Sequence, residues 1–158
     1  MFTDIVDSTT LLTTIGDDAW HLVRRWHDST VSAIVAEHLG RIVKEMGDGF
    51  FAVFEDPPFA VDCAVAIQRA LEHHRRTHGF SPPVRIGMHV GSAISVDDDY
   101  AGRDVVVSAR IGSLAAAGEI LVSADLADRL STHVLVRRRG AALKGIPDAI
   151  DISTVEWR

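Results

Sequence analysis

The sequence predicts an α+β sandwich with a mostly antiparallel sheet, and three observations predict it. Strand-like and helix-like runs mix without strict β-α alternation, turn signals join strand-like runs as hairpins, and 47% of the 158 residues are hydrophobic, enough for one core. Residues 1–158 are expected to form a single domain, with helices covering one face of the sheet.

Phe2 to Val6 reads as a short strand, broken by Asp7-Ser8-Thr9-Thr10, residue types that cap helices and tight turns. Asp17-Asp18 open a long helical pattern through about His38, with Trp20, Val23, Val31, Ile34 and Val35 at helical spacing and Gly40 as the stop. Residues 41–45 and 50–54 are β-rich runs flanking Met46-Gly47-Asp48-Gly49, so Asp48 is expected at a hairpin tip. Pro57-Pro58 start a second helix through about Thr77, and Pro82-Pro83 separate it from a strand over 84–90. Asp97 to Gly102 read as a loop, Arg103 to Ala116 as a helix, and Ile120-Leu121-Val122 as a strand. Ser123 caps a brief helix to about Leu130, and 133–139 and 150–155 read as closing strands.

Net charge is −6, so no broad basic surface exists to neutralise nucleic-acid phosphates, and a polyanionic ligand must be held by metals or a few cations. The single cysteine, Cys63, cannot form an internal disulfide, which points to a reduced, cytoplasmic setting. No run approaches the roughly 20 apolar residues that span a bilayer, and no membrane contact is expected. A charged, strand-like motif starting at residue 2 without a leader suggests a domain cut from a longer chain.

Asp4 and Asp48 are distant in sequence, yet both sit at strand ends beside turn residues. If the strands are neighbours, their carboxylates converge into a hard oxygen site suited to magnesium or manganese; otherwise they are turn formers. Phe2-Thr3-Asp4-Ile5-Val6-Asp7-Ser8-Thr9, Lys44-Glu45-Met46-Gly47-Asp48-Gly49, Arg85-Ile86-Gly87-Met88-His89-Val90-Gly91, and Asp99-Tyr100-Ala101-Gly102 through Ser108-Ala109-Arg110 follow one another in the chain. In this order and spacing they resemble the class III nucleotide cyclase catalytic domain, of the bacterial, actinobacterial adenylyl type, from residue 2 to about residue 123, with an echo at Leu143-Lys144-Gly145.

The resemblance implies the nucleotide cyclase fold, a ferredoxin-like, palm-type sandwich, and conversion of ATP to 3′,5′-cyclic AMP and pyrophosphate. It implies that Asp4, Asp48 and the Ile5 carbonyl hold two divalent cations, Mg2+ or Mn2+, and that amides of Val6, Asp7, Ser8 and Thr9 cradle phosphate. Arg110 matches a transition-state arginine, and Lys144 a phosphate-contacting lysine. Lys44 and Asp99 match the pair that reads adenine, one offering a donor and the other an acceptor, and Ala101 leaves the base pocket roomy. The resemblance further implies a head-to-tail homodimer with two shared sites, each needing both subunits.

Val106 stands where the family carries a ribose-orienting asparagine, and Arg103 or Ser108 are the candidate substitutes. Asp7 stands where relatives carry glycine. These departures keep a second reading open, a catalytically weak or inactive nucleotide-binding regulatory module; a guanylate cyclase and a polymerase-like or diguanylate-forming enzyme are further alternatives. Asp97 and Asp98 read as a soluble loop, His73, His74 and His78 as a polar surface face, Arg137 to Arg139 as a solvated strand end, and Trp20 and Trp26 as core or dimer-seam residues.

Overall fold

The computed structural model describes every residue except Thr132 and Val134, and the backbone alone over 136–139, so the reading of the Arg137–Arg139 side chains lies outside the described residues. Nine strands and five helices follow in the order β1 (Phe2–Ile5), α1 (Ser8–Ile15), α2 (Asp17–Glu37), β2 (Arg41–Met46), β3 (Gly49–Val53), α3 (Pro57–His78), β4 (Val84–Met88), β5 (Ile94–Val96), β6 (Asp99–Ala101), α4 (Arg103–Leu114), β7 (Ile120–Ser123), α5 (Ala124–Ala127), β8 (Leu135–Ala141) and β9 (Ile150–Val155) among the described residues.

Seven strands form one sheet in the order β2-β3-β1-β4-β7-β9-β8. Among the described residues β4 and β7 alone run parallel, and the other pairings of the sheet are antiparallel, as expected.

The helices do not all lie on one face, which corrects the sequence reading. Ile120 and Val122 join the larger core with Val31 and Val35 of α2 and Ala64 and Ile67 of α3. Leu121 between them joins a second core with Val107 and Ile111 of α4 and Leu143 and Ile152. Side chains alternate across a strand, so α4 packs on the face opposite α2 and α3. Close approach makes this possible: a Cβ at Gly87 of β4 would lie 2.0 Å from the Gly112 nitrogen of α4. The three-layer arrangement was invisible in the sequence because an apolar run such as Ile120–Val122 does not state which neighbour covers each face.

Two further elements differ from expectation. Of Asp7–Thr10, read as a cap or turn, Asp7 stands at the N-cap while Ser8 opens the helix α1, and the acidic loop is a two-stranded hairpin pairing Val96 with Asp99 and Ile94 with Ala101. Its outer residues Ile94 and Val96 are 68% and 53% exposed, so an isolated hairpin rather than sheet burial holds this segment. Trp20 and Trp26 pack partly buried against the larger core. Cys63 is buried at its centre, and burial pushes its thiol up to about 12, leaving it inert as a nucleophile.

Candidate functional site

The structure brings Asp4 and Asp48 together. Asp4 lies on central β1, and Asp48 in the turn between β2 and β3, whose first residue is Gly49. A Cβ at Gly49 would sit 1.8 Å from the Thr3 carbonyl oxygen and 2.9 Å from the Asp4 Cα, so only glycine lets the hairpin tip close on β1. Thr3, 3% exposed, secures the junction by accepting a 3.0 Å hydrogen bond from the Phe50 amide.

Burial pushes the Asp4 carboxyl above its ordinary value; the Arg85 hydrogen bond opposes this, and the adjoining Asp48 carboxylate adds to the rise. Two like charges held side by side, with hard oxygen donors, are the donor chemistry a divalent cation requires. Asp4 and Asp48 therefore fit the cations implied by the sequence. Among the described residues no group of three or more His, Cys, Asp or Glu converges, so Asp7 does not extend the pair into a larger cluster.

Sequence reasoning assigned no role to Arg85. It stands opposite Asp4 in the β1–β4 register, and its Nε donates to Asp4 Oδ2 at 2.7 Å while Nη1 donates to the Ser113 carbonyl at 3.3 Å. The signal was present: a basic residue in a motif strand, in register with an acidic one only once the strand order is known.

The phosphate cradle is smaller than expected. The Val6 amide donates to the Pro83 carbonyl at 2.9 Å, extending the β1–β4 ladder, and Val6 is removed as a phosphate donor on that ground. Asp7 stands at the N-cap of α1 with φ of 54° and no side-chain capping bond. That left-handed conformation is the one glycine adopts freely and aspartate tolerates, which explains the residue type at this position. The amides of the first turn of α1, including Ser8 and Thr9, have no partner within the helix and suit an anion.

Lys44 of β2 and Asp99 of β6, 55 residues apart, meet with Nζ 2.5 Å from Oδ2. Their side chains stay 43% and 47% exposed. The Lys44 hydrogen bond, helped by the Tyr100 amide, holds the Asp99 carboxyl below its ordinary value. The pair lines an open recess with Val43, Val96 and Ala101. Arg41, at the start of β2, stacks its guanidinium 5.4 Å over the Tyr100 ring and fastens the small hairpin to the sheet.

Arg110 is exposed on α4, and Lys144 is exposed in the turn between β8 and β9, next to Leu143, which is buried in the core beneath α4. Neither has a hydrogen bond or ion pair to the other candidate residues among the described residues. Val106, 45% exposed, shares the outer face of α4 with Arg103 and Arg110 by helical spacing, whereas Ser108 is 4% exposed with its Oγ unpartnered. Ser108 therefore points into the molecule and cannot stand in for a donor at Val106; Arg103 has the right face. The histidine group is a surface stack, with the His74 ring 3.8 Å from Trp26 and 4.2 Å from His78.

A seven-stranded mixed sheet presenting two carboxylates from β1 and a β2–β3 hairpin defines a nucleotide cyclase catalytic domain. The family model described as the adenylate and guanylate cyclase catalytic domain matches residues 1–152, and the chain belongs to this family. Among known proteins it is similar to the putative adenylate cyclase 3 of Rhizobium meliloti, 34% identical over 65% of this chain and 18% of that protein. It is also similar to the serine/threonine-protein kinase pkn2 of Myxococcus xanthus, 32% identical over 60% of this chain and 12% of that one. The matched segment thus spans less than a fifth of either relative. Of solved structures, the adenylyl cyclase CyaB of P. aeruginosa is 26% identical with a TM-score of 0.85, covering 98% of this chain and 91% of that one. The guanylate cyclase domain of RhGC from Catenaria anguillulae, 18% identical with a TM-score of 0.83 over 99% and 94%, shares the fold. No helix among the described residues is long and apolar enough to cross a membrane.

Proposed function

We propose that the domain is an adenylate cyclase, forming 3′,5′-cyclic AMP and pyrophosphate from ATP at two sites shared across a head-to-tail homodimer. The observation that carries the choice of base is the Lys44–Asp99 pair. Adenine offers a donor at its 6-amino group and an acceptor at N1; Asp99 accepts from the first and Lys44 donates to the second. The ammonium carries three donors and the carboxylate several lone pairs, so their mutual bond leaves capacity for the base. Guanine reverses both edges and meets unpaired groups.

Asp4 and Asp48, with the Ile5 carbonyl, would hold two divalent cations, Mg2+ or Mn2+, which supply a lowered pKa for the ribose 3′-hydroxyl and charge neutralisation for the triphosphate. Arg85 keeps the Asp4 carboxylate turned toward that role. The first-turn amides of α1 bind phosphate oxygens, and Lys144 adds a positive charge from its turn. The ribose 3′-oxygen bonds to the α-phosphorus, its proton passes to water, and the bond from that phosphorus to the bridging oxygen breaks, with the electron pair leaving on pyrophosphate. Arg110 from the other subunit stabilises the charge that grows on the transferring phosphoryl group. A cytoplasmic site of action follows from the substrate.

Val106 favours a second reading, a nucleotide-binding regulatory module, because an exposed valine offers the ribose no hydrogen bond. Losing one such donor costs on the order of 10²–10³ in rate, which slows a cyclase without abolishing it. Incubation of the purified domain with ATP or GTP and Mn2+ or Mg2+, with cyclic nucleotide measured, decides among these readings. Cyclic AMP in excess is expected. Cyclic GMP in excess overturns the base assignment, and bound nucleotide without product supports the module.

A further inference from the structure

We infer that Arg24 of α2, braced by Asp28 and His27, is a positioning residue for Asp48; the inference rests on the proposed metal role of that carboxylate. Arg24 Nη1 donates to the Gly47 carbonyl at 2.9 Å, in the residue just before Asp48. Its other nitrogens fork onto Asp28, with Nε 3.3 Å from Oδ1 and Nη2 3.0 Å from Oδ2. Asp28 in turn meets His27 Nδ1 at 2.8 Å, and the His27 side chain is fully buried. The His27 ring stacks with Phe50, centroids 6.0 Å apart.

One stretch of α2 therefore grips the hairpin at two points, Gly47 and Phe50, and the residues between them are Asp48 and Gly49. A turn tip is normally the most mobile part of a hairpin, because few contacts oppose its fluctuation. Here a guanidinium, itself fixed by a carboxylate fork and laid 5.9 Å over the Trp20 ring, holds the tip against the helix. The geometry points to a device that keeps the Asp48 carboxylate beside Asp4. Groups that orient metal ligands typically change metal affinity by about 10–100-fold when removed.

Mn2+ binding to the purified domain, read by electron paramagnetic resonance without nucleotide, tests this directly. Asp48→Asn is the control for the metal reading, and Arg24→Ala and Arg24→Lys test the clamp. The expected result is loss of tight Mn2+ binding in Asp48→Asn, weakening of about tenfold in Arg24→Ala, and partial recovery in Arg24→Lys, which keeps one donor for Gly47. Metal-free binding of a fluorescent ATP analogue at the Lys44–Asp99 recess stays within twofold of the parent chain in Arg24→Ala and Arg24→Lys. Unchanged Mn2+ affinity in Arg24→Ala, with Asp48→Asn defective, overturns the clamp and leaves the metal site standing. Unchanged affinity in Asp48→Asn overturns the metal site itself. Should Arg24→Ala fail to fold, Arg24→Gln, which retains part of the aliphatic stem and an amide donor, is read by the same criteria.

Discussion

Lys44 and Asp99 touch, Nζ to Oδ2 at 2.5 Å, although they belong to different sheets. A donor and an acceptor are thus displayed side by side in one recess. Lys44→Glu replaces the donor with an acceptor and sets two carboxylates against each other. Activity with ATP is expected to fall by at least about 10²-fold, mainly through KM, with less effect on melting temperature because both groups are largely exposed. Steady-state kinetics with ATP and GTP check this.

Because every chain carries both the two carboxylates and the Lys44–Asp99 pair, the proposed shared sites predict complementation between variants. Asp4→Ala and Lys44→Ala are each inactive alone; mixed, heterodimers carrying one intact shared site recover up to about a quarter of parent activity, the statistical share for a two-fold dimer. Activity titrated against mixing ratio is the measurement. No recovery between folded, dimerising variants would mean that the sites are not shared.

Gly87→Ala places a methyl group 2.0 Å from the Gly112 backbone nitrogen, and backbone on both sides cannot yield cheaply. A loss of about 3 kcal/mol is expected from such overpacking, and α4 moves off the sheet with Arg110. Urea unfolding gives the first, and cyclase activity the second.

Asp28 links stability to pH. Burial alone would raise its pKa, but the His27 and Arg24 hydrogen bonds and charges outweigh it and the value is lowered. A carboxylate with a depressed folded pKa stabilises the protein above its unfolded pKa, and that contribution fades as pH falls through the folded value. Asp28→Asn should therefore be less stable than the parent at pH 7, by about 1 kcal/mol for a pair that is only 19% and 26% exposed, with the gap narrowing at a pH below the ordinary carboxylate value. Unfolding midpoints at both pH values test it.

Much of the site was legible because its residues sit where turn chemistry is local. Gly47-Asp48-Gly49 announced a hairpin tip, and Phe2 to Val6 a strand, without any tertiary information. Arg85, Arg24 and Thr3 were not legible, since each acts on a residue between 23 and 81 positions away. The free state of the Val6 amide was misjudged for the same reason: its partner, Pro83, is brought alongside only by the β1–β4 pairing.

By itself the sequence determined the order of the main elements and the candidate carboxylates, because hydrophobic period and turn residues are properties of the chain read locally, while Lys44 and Asp99 were singled out by the family resemblance of the motifs that carry them. Only the tertiary structure decided that α4 covers the opposite face of the sheet, that Asp4 and Asp48 lie together with Arg85 on one of them, and that α2 grips the hairpin tip. Those are facts of strand order and of backbone approach, at Gly49 against Thr3 and Gly87 against Gly112, and close packing between distant segments leaves no periodic trace in the residues that permit it.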